Sequence, residues 1–171
     1  GDFNPAGRLP FSVPRSVGQI PLYYNKKAPQ SHDYVEMSAS PLYPFGYGLS
    51  YTSFDYSDLH LSALTPRSFE VSFKVRNTGQ YDGEEVAQLY LRDEYASVVQ
   101  PLKQLKHFAR FYLKRGEERE VKFILSEEDF SLVDRNLKSI VEPGTFQIMI
   151  GAASDDIRLQ TKVEEILRKE E

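Results

Sequence analysis

Residues 69–75 read Phe69-Glu70-Val71-Ser72-Phe73-Lys74-Val75, and this heptapeptide decides the fold. Apolar side chains occupy every second place, with Glu70, Ser72 and Lys74 between them. Successive side chains of an extended chain point to opposite faces, so this spacing predicts a strand with one face buried and one in water. The same period returns in Val121, Phe123 and Leu125, and again in Phe146, Ile148 and Ile150. Less regular strand candidates lie near 54–62, 86–92, 104–113 and 157–163. Turn signals separate them: Asn77-Thr78-Gly79, Asp82-Gly83, Arg115-Gly116, Pro143-Gly144 and Gly151. Asn, Asp and Gly there accept the backbone angles that tight turns require. About seven short strands at such spacing predict an all-β fold, an antiparallel β-sandwich of the immunoglobulin-like kind, over residues 54–171. Helix is expected only as a single turn capped at Ser126-Glu127-Glu128-Asp129 and as a short terminal helix over 163–171. In that helix Val163, Ile166 and Leu167 would share a face, and Glu164–Arg168 and Glu165–Lys169 would pair at i,i+4.

Ahead of the alternating region the chemistry changes. Seven of the ten prolines fall in residues 1–53. Proline fixes φ and removes a backbone donor, so this segment is predicted to be extended chain broken by turns. It also carries Phe3, Leu9, Phe11, Val13, Ile20, Leu22, Tyr23 and Tyr24, too much apolar surface for a free linker. It therefore needs a body to lie against, and is expected to drape over a neighbouring surface. Its densest stretch holds Tyr43, Phe45, Tyr47 and Tyr51, followed by Phe54 and Tyr56. Such rings serve either to glue an extended segment to a domain or to stack on the flat face of a sugar.

The 171 residues suffice for one domain with an extension, and the net charge of −4 includes no basic stripe. Nucleic acid is not an expected partner. No apolar run reaches the ~20 residues that span a bilayer, so no membrane partner is expected. Cysteine is absent, which removes disulfides and thiolate metal sites. Residue 1 is Gly and no charged-then-apolar leader follows it, so the chain reads as a piece of something longer.

Catalytic patterns are missing. None of His32, His60 and His107 sits in a nucleophile elbow or at metal-ligand spacing, and no Gly-rich phosphate cradle occurs. Glycoside cleavage uses two carboxyls about 5–10 Å apart across the scissile bond. The adjacent acids Glu84/Glu85, Glu117/Glu118, Glu127/Glu128/Asp129 and Asp155/Asp156 lie beside turns, where solvated acids are ordinary. Neighbours on a strand also face opposite ways. The residues indicate no catalytic site, no metal and no cofactor.

Several motifs resemble one known family. Asn4-Pro5-Ala6-Gly7-Arg8-Leu9-Pro10-Phe11-Ser12-Val13-Pro14 is similar to the closing segment of the α/β-sandwich domain in family 3 glycoside hydrolases. Gly18-Gln19-Ile20-Pro21-Leu22-Tyr23-Tyr24-Asn25 resembles the linker that follows it. Pro41-Leu42-Tyr43-Pro44-Phe45-Gly46-Tyr47-Gly48-Leu49-Ser50-Tyr51-Thr52 resembles the family's tail signature, in which the place of Tyr47 is often His. Val86–Asp93, Lys103–Phe108 and Val141–Gly151 resemble segments of its fibronectin type III-like module.

The resemblance implies that 1–53 ends the preceding domain and links it to a fibronectin type III-like sandwich at 54–171. It implies retaining enzymes of β-glucosidase and β-xylosidase type, whose Asp nucleophile and Glu acid/base lie in upstream domains. No position here matches either residue, so this part is expected to be inactive alone. The partners implied are the upstream catalytic domains of the same polypeptide, with Tyr43, Phe45, Tyr47 and Tyr51 at their interface. A weak oligosaccharide contact is a lesser expectation. The resemblance further implies a periplasmic or secreted location. A free-standing carbohydrate-binding or adhesion sandwich is the alternative. In the enzyme reading, the loop at 93–102 is the place where this part could reach the parent's active site and brush a substrate subsite.

Overall fold

The computed structural model describes residues 2–27 and 36–166. Nine strands follow one another among them: β1 (Phe54–Thr65), β2 (Ser68–Asn77), β3 (Gly83–Asp93), β4 (Gln104–Leu113), β5 (Glu118–Leu125), β6 (Leu132–Val133), β7 (Ser139–Ile140), β8 (Gly144–Gly151) and β9 (Ile157–Ile166). One antiparallel sheet has the order β1-β2-β5 and the other β4-β3-β8-β9, with β6 and β7 forming a two-stranded ribbon. This is the all-β sandwich that the alternation predicts.

Register follows from which side chains must be buried. Val71 pairs with Phe123 and Phe73 with Val121, so both strands turn their apolar parity to the same side. Opposite them, Leu89 pairs with Ile150 and Leu91 with Ile148. The two inner faces meet in one core in which Val71, Phe73, Val75, Leu89, Leu113, Leu125, Ile148 and Ile150 are fully buried. Phe73 is flanked by Tyr56 and Phe123 with ring centroids 6.0 and 5.9 Å away, and Phe130 meets Phe146 edge-on at 5.1 Å.

Strand β3 departs from simple alternation. Ala87, Leu89 and Leu91 face the core, yet Val86, Gln88 and Tyr90 on the other parity are buried as well. Gln88 and Tyr90 are covered, through Gly46 and Tyr24, by the proline-rich lead-in, which forms a third layer on the outer face of the four-stranded sheet. The body that the extended segment requires is thus, at least in part, the chain's own sandwich.

The turn at Ser126 is present as a 3₁₀ turn over Glu127–Phe130, with the Asp129 carboxylate accepting the Ser126 N–H at 2.9 Å. The expected terminal helix over 163–171 is not formed where the chain is described. Residues up to Ile166 belong to β9, where Val163 pairs with Phe146 and is buried in the core. Burying a Val side chain and completing a sheet ladder outweighs i,i+4 ion pairs worth about 0.2–0.5 kcal/mol each. Residues 167–171, with the rest of that expectation, lie outside the described residues. The ribbon of β6 and β7 was not predicted; two residues per strand leave no period to detect.

Candidate functional site

The seam between lead-in and sandwich gathers the chain's unusual chemistry. Within the lead-in two extended segments pair: Leu9 N–H donates to Tyr47 O (2.9 Å), Gly46 N–H to Leu9 O (2.8 Å) and Val13 N–H to Tyr43 O (2.8 Å). Proline-broken chain cannot extend such pairing, so other polar groups bond within the lead-in, as Gln19 does to Ala39 O (2.9 Å), or turn to the sandwich. Asn4 spans the gap, donating to Asp82 O (2.9 Å) and accepting from Tyr51 N–H (2.8 Å) and the Ser50 hydroxyl (3.1 Å). Ser154 N–H donates to Phe45 O (2.9 Å), and the Gln88 carboxamide donates to Gly46 O (3.3 Å) and Ala152 O (2.6 Å).

The aromatic residues divide into two groups. Phe45 turns inward and stacks on Tyr24 with centroids 4.1 Å apart, and Tyr24 meets Tyr90 edge-on at 6.1 Å. Burial, with the neighbouring Tyr24 as a lesser cause, raises the Tyr90 phenol above its ordinary value, and its hydroxyl donates to Gln88. Tyr43 and Tyr47 tilt against each other at 4.9 Å on the outer side. Tyr51 stands apart, 62% exposed. Phe54 and Tyr56, from the same sequence cluster, belong to the sandwich.

Sequence reasoning assigned Glu85 to a solvated pair with Glu84, and the structure corrects this. Glu84 pairs with Arg110 at the surface, but Glu85 is only 3% exposed. Its carboxylate accepts from one Arg8 nitrogen at 3.0 and 3.1 Å and from the Tyr56 hydroxyl at 3.0 Å. A buried charge requires such partners. Burial first, and the Glu85 charge second, hold the Tyr56 phenol well above its usual value, so it stays a donor. Arg158 forks onto Asp156 at 2.5 and 2.7 Å and lies over the Tyr56 ring at 5.7 Å. These groups line a cavity of about 350 Å³. A second groove of about 320 Å³ runs past Arg15, Tyr47 and Asp155. The sequence carried a faint sign of this cluster: Arg8 sits alone in an otherwise uncharged run.

The other acids are ordinary. Glu118 faces Lys74 and Glu127 faces Arg67 at the surface. Asp129 meets His107 at 3.3 Å, and the His107 ring stacks on Phe123 at 5.9 Å. His60 lies exposed on β1, and His32 lies outside the described residues. Among the described residues no group of three or more His, Asp or Glu could hold a metal ion. No helix of the described residues is long and apolar enough to cross a membrane. The loop at 93–102 is tied at its ends, Glu94 N–H to Thr145 O (3.1 Å) and Leu102 N–H to Lys26 O (2.9 Å).

The lead-in and the sandwich match two different family models. Residues 1–51 match the glycosyl hydrolase family 3 C-terminal domain, and residues 85–154 match the fibronectin type III-like domain. This chain belongs to the C-terminal region of family 3 glycoside hydrolases. It is 44% identical to a β-xylosidase of Formosa agariphila over 92% of its length, and 42% identical to a periplasmic β-glucosidase of Salmonella typhimurium, again over 92%. It spans 23% and 22% of those family 3 relatives. Among solved structures, a β-glucosidase from Listeria innocua in complex with glucose superposes with a TM-score of 0.84 at 35% identity. That match covers 95% of this chain and 24% of the other. A β-glucosidase from Erythrobacter marinus gives 0.86 at 41% identity, covering 95% and 22%.

Proposed function

We propose that this chain is the accessory, non-catalytic part of a family 3 glycoside hydrolase that releases terminal β-linked sugars, and that it stabilises the catalytic domains of the same polypeptide. In this reading 1–53 closes the preceding domain and links it to the sandwich at 54–171. One observation carries it. The lead-in is held to the sandwich by its inner side, while its outer side exposes Phe3, Phe11, Val17, Ile20, Leu49 and Tyr51. Exposed apolar side chains of this number, on a segment fixed by hydrogen bonds, suit a docking face. Its occupant would be the catalytic domains, with Tyr43, Tyr47 and Tyr51 at the boundary and Phe45 behind them, stacked on Tyr24. A periplasmic or secreted location is supported by the naming of the Salmonella relative.

A second reading, an oligosaccharide contact, draws on the tilted Tyr43–Tyr47 pair beside a groove with Arg15 and Asp155. Titration of the chain with cello- and xylo-oligosaccharides separates the two, since millimolar binding favours the second.

The main reading is tested in two steps. The purified 171-residue chain is expected to leave an aryl β-glucoside uncleaved; turnover abolished by changing one of its own acids would overturn the proposal. In the longer polypeptide, Tyr47→Ala should lower Tm by about 2–4 °C per kcal/mol lost while kcat stays within about threefold. Unchanged melting with collapsed turnover would contradict it.

A further inference from the structure

Apolar packing alone leaves the seam degenerate. Tyr43, Phe45 and Tyr47 recur at every second residue, and Gly46 and Gly48 share that spacing. A slip by two residues would put Tyr47 in the place of Phe45 and Gly48 in the place of Gly46. Hydrophobic burial is non-directional and discriminates weakly between such seatings. The two lead-in segments would slip together. A Cβ at position 48 would lie 2.2 Å from Gly7 O, so a residue other than glycine cannot be drawn into that place while the first segment stays. The bonds joining Leu9, Val13, Tyr43, Gly46 and Tyr47 are internal to the lead-in and would travel with it.

Glu85 would not travel. It is fixed in β3, buried, and its charge is met by Arg8 from the lead-in and Tyr56 from β1. A shifted lead-in would withdraw the guanidinium and leave a buried carboxylate without its cation. Arg158, the nearest other cation lining the cavity, is already forked onto Asp156.

We infer that the Arg8–Glu85–Tyr56 cluster is a register key, which specifies one seating of the lead-in on the sandwich and adds little to its stability. Its construction fits that role. One Arg8 nitrogen is spent on the carbonyls of Ala6 and Gly7 at 3.4 and 3.3 Å, and Arg8 Nε is buried without a partner among the described residues. A pair built this way gains little over a hydrophobic replacement, because desolvation of both charges offsets their attraction, while loss of one partner is strongly unfavourable. This role is independent of whether the chain serves a catalytic body.

The test uses the whole chain, with melting and amide exchange at Ser154 and Leu102, whose bonds to Phe45 O and Lys26 O cross the seam, as readouts. Arg8→Met is expected to lower Tm and to speed those amides by about tenfold or more, with Val71 and Leu89 slow. The triple variant Arg8→Met/Glu85→Met/Tyr56→Phe should return Tm to within about 2 °C of the parent while the seam amides stay fast. Recovery of both would reduce the cluster to ordinary stabilisation, and recovery of neither would make it a net stabiliser; each overturns the inference, as does a silent Arg8→Met. Should Arg8→Met fail to fold, Glu85→Gln preserves shape and acceptor oxygen. It must still speed the seam amides of Ser154 and Leu102, and unchanged exchange there refutes the key.

Discussion

The carboxamide of Asn77 is fully buried, and both its ends are occupied. Its nitrogen donates to Tyr81 O (2.8 Å) and Leu113 O (3.2 Å), and its oxygen accepts from the Thr52 hydroxyl (2.7 Å) and Gly79 N–H (3.1 Å). That one side chain joins the end of the lead-in, the turn after β2 and the end of β4. In sequence it reads only as the first residue of a turn, because nothing local announces partners 25 and 36 positions away. Asn77→Ala would strand several buried groups at once, and leaving even one unsatisfied costs about 1–3 kcal/mol. Urea denaturation should therefore show a loss of at least about 2 kcal/mol with an unchanged m-value. A loss below about 0.5 kcal/mol, the range of ordinary surface changes, would mean that water replaces the amide.

Among elements, the paired lead-in segments differ most from what their residues suggest alone. Gly46 has φ +80, and a Cβ there would sit 2.2 Å from Gln88 Oε1, the side chain that holds Gly46 O. Gly116 has φ +77 but nothing within 4 Å of the added atom. The two glycines share the conformational demand and differ only in the close approach. Gly116→Ala should cost about 1–2 kcal/mol, the left-handed penalty. Gly46→Ala should cost about 1–3 kcal/mol more, as overpacking does. Equal Tm shifts for the two would show that the lead-in yields easily. Strand β9 teaches the complementary lesson. Its last residues carry helical charge spacing, yet the edge of β8 offers a ladder and a core position for Val163, and the non-local gain prevails.

At the scale of the molecule, three layers share one strand. Because β3 is buried by the opposing sheet on one side and by Tyr24, Phe45 and Gly46 on the other, unfolding of the lead-in exposes Tyr90 and Gln88. Lead-in and sandwich are accordingly expected to unfold together, with tyrosine fluorescence and far-ultraviolet circular dichroism giving coincident denaturant curves. A separate early tyrosine transition would show that the third layer is only loosely attached. The sandwich and its pairing were legible in the sequence wherever Val, Phe and Ile alternate over several residues, as in β2, β5 and β8. The family likeness was legible in the lead-in motifs. The buried role of Glu85 and the double burial of β3 were not, since the run Val86–Leu91 carries apolar residues on both parities without saying what covers the second face. Sequence by itself determined the strand periods, the turns and the absence of catalytic patterns, because these depend on residues next to one another. Only the tertiary structure decided that Arg8 meets Glu85 and that the lead-in seats on its own sandwich. Such contacts join residues 77 positions apart, and their energy arises from desolvation that exists only once the layers have closed.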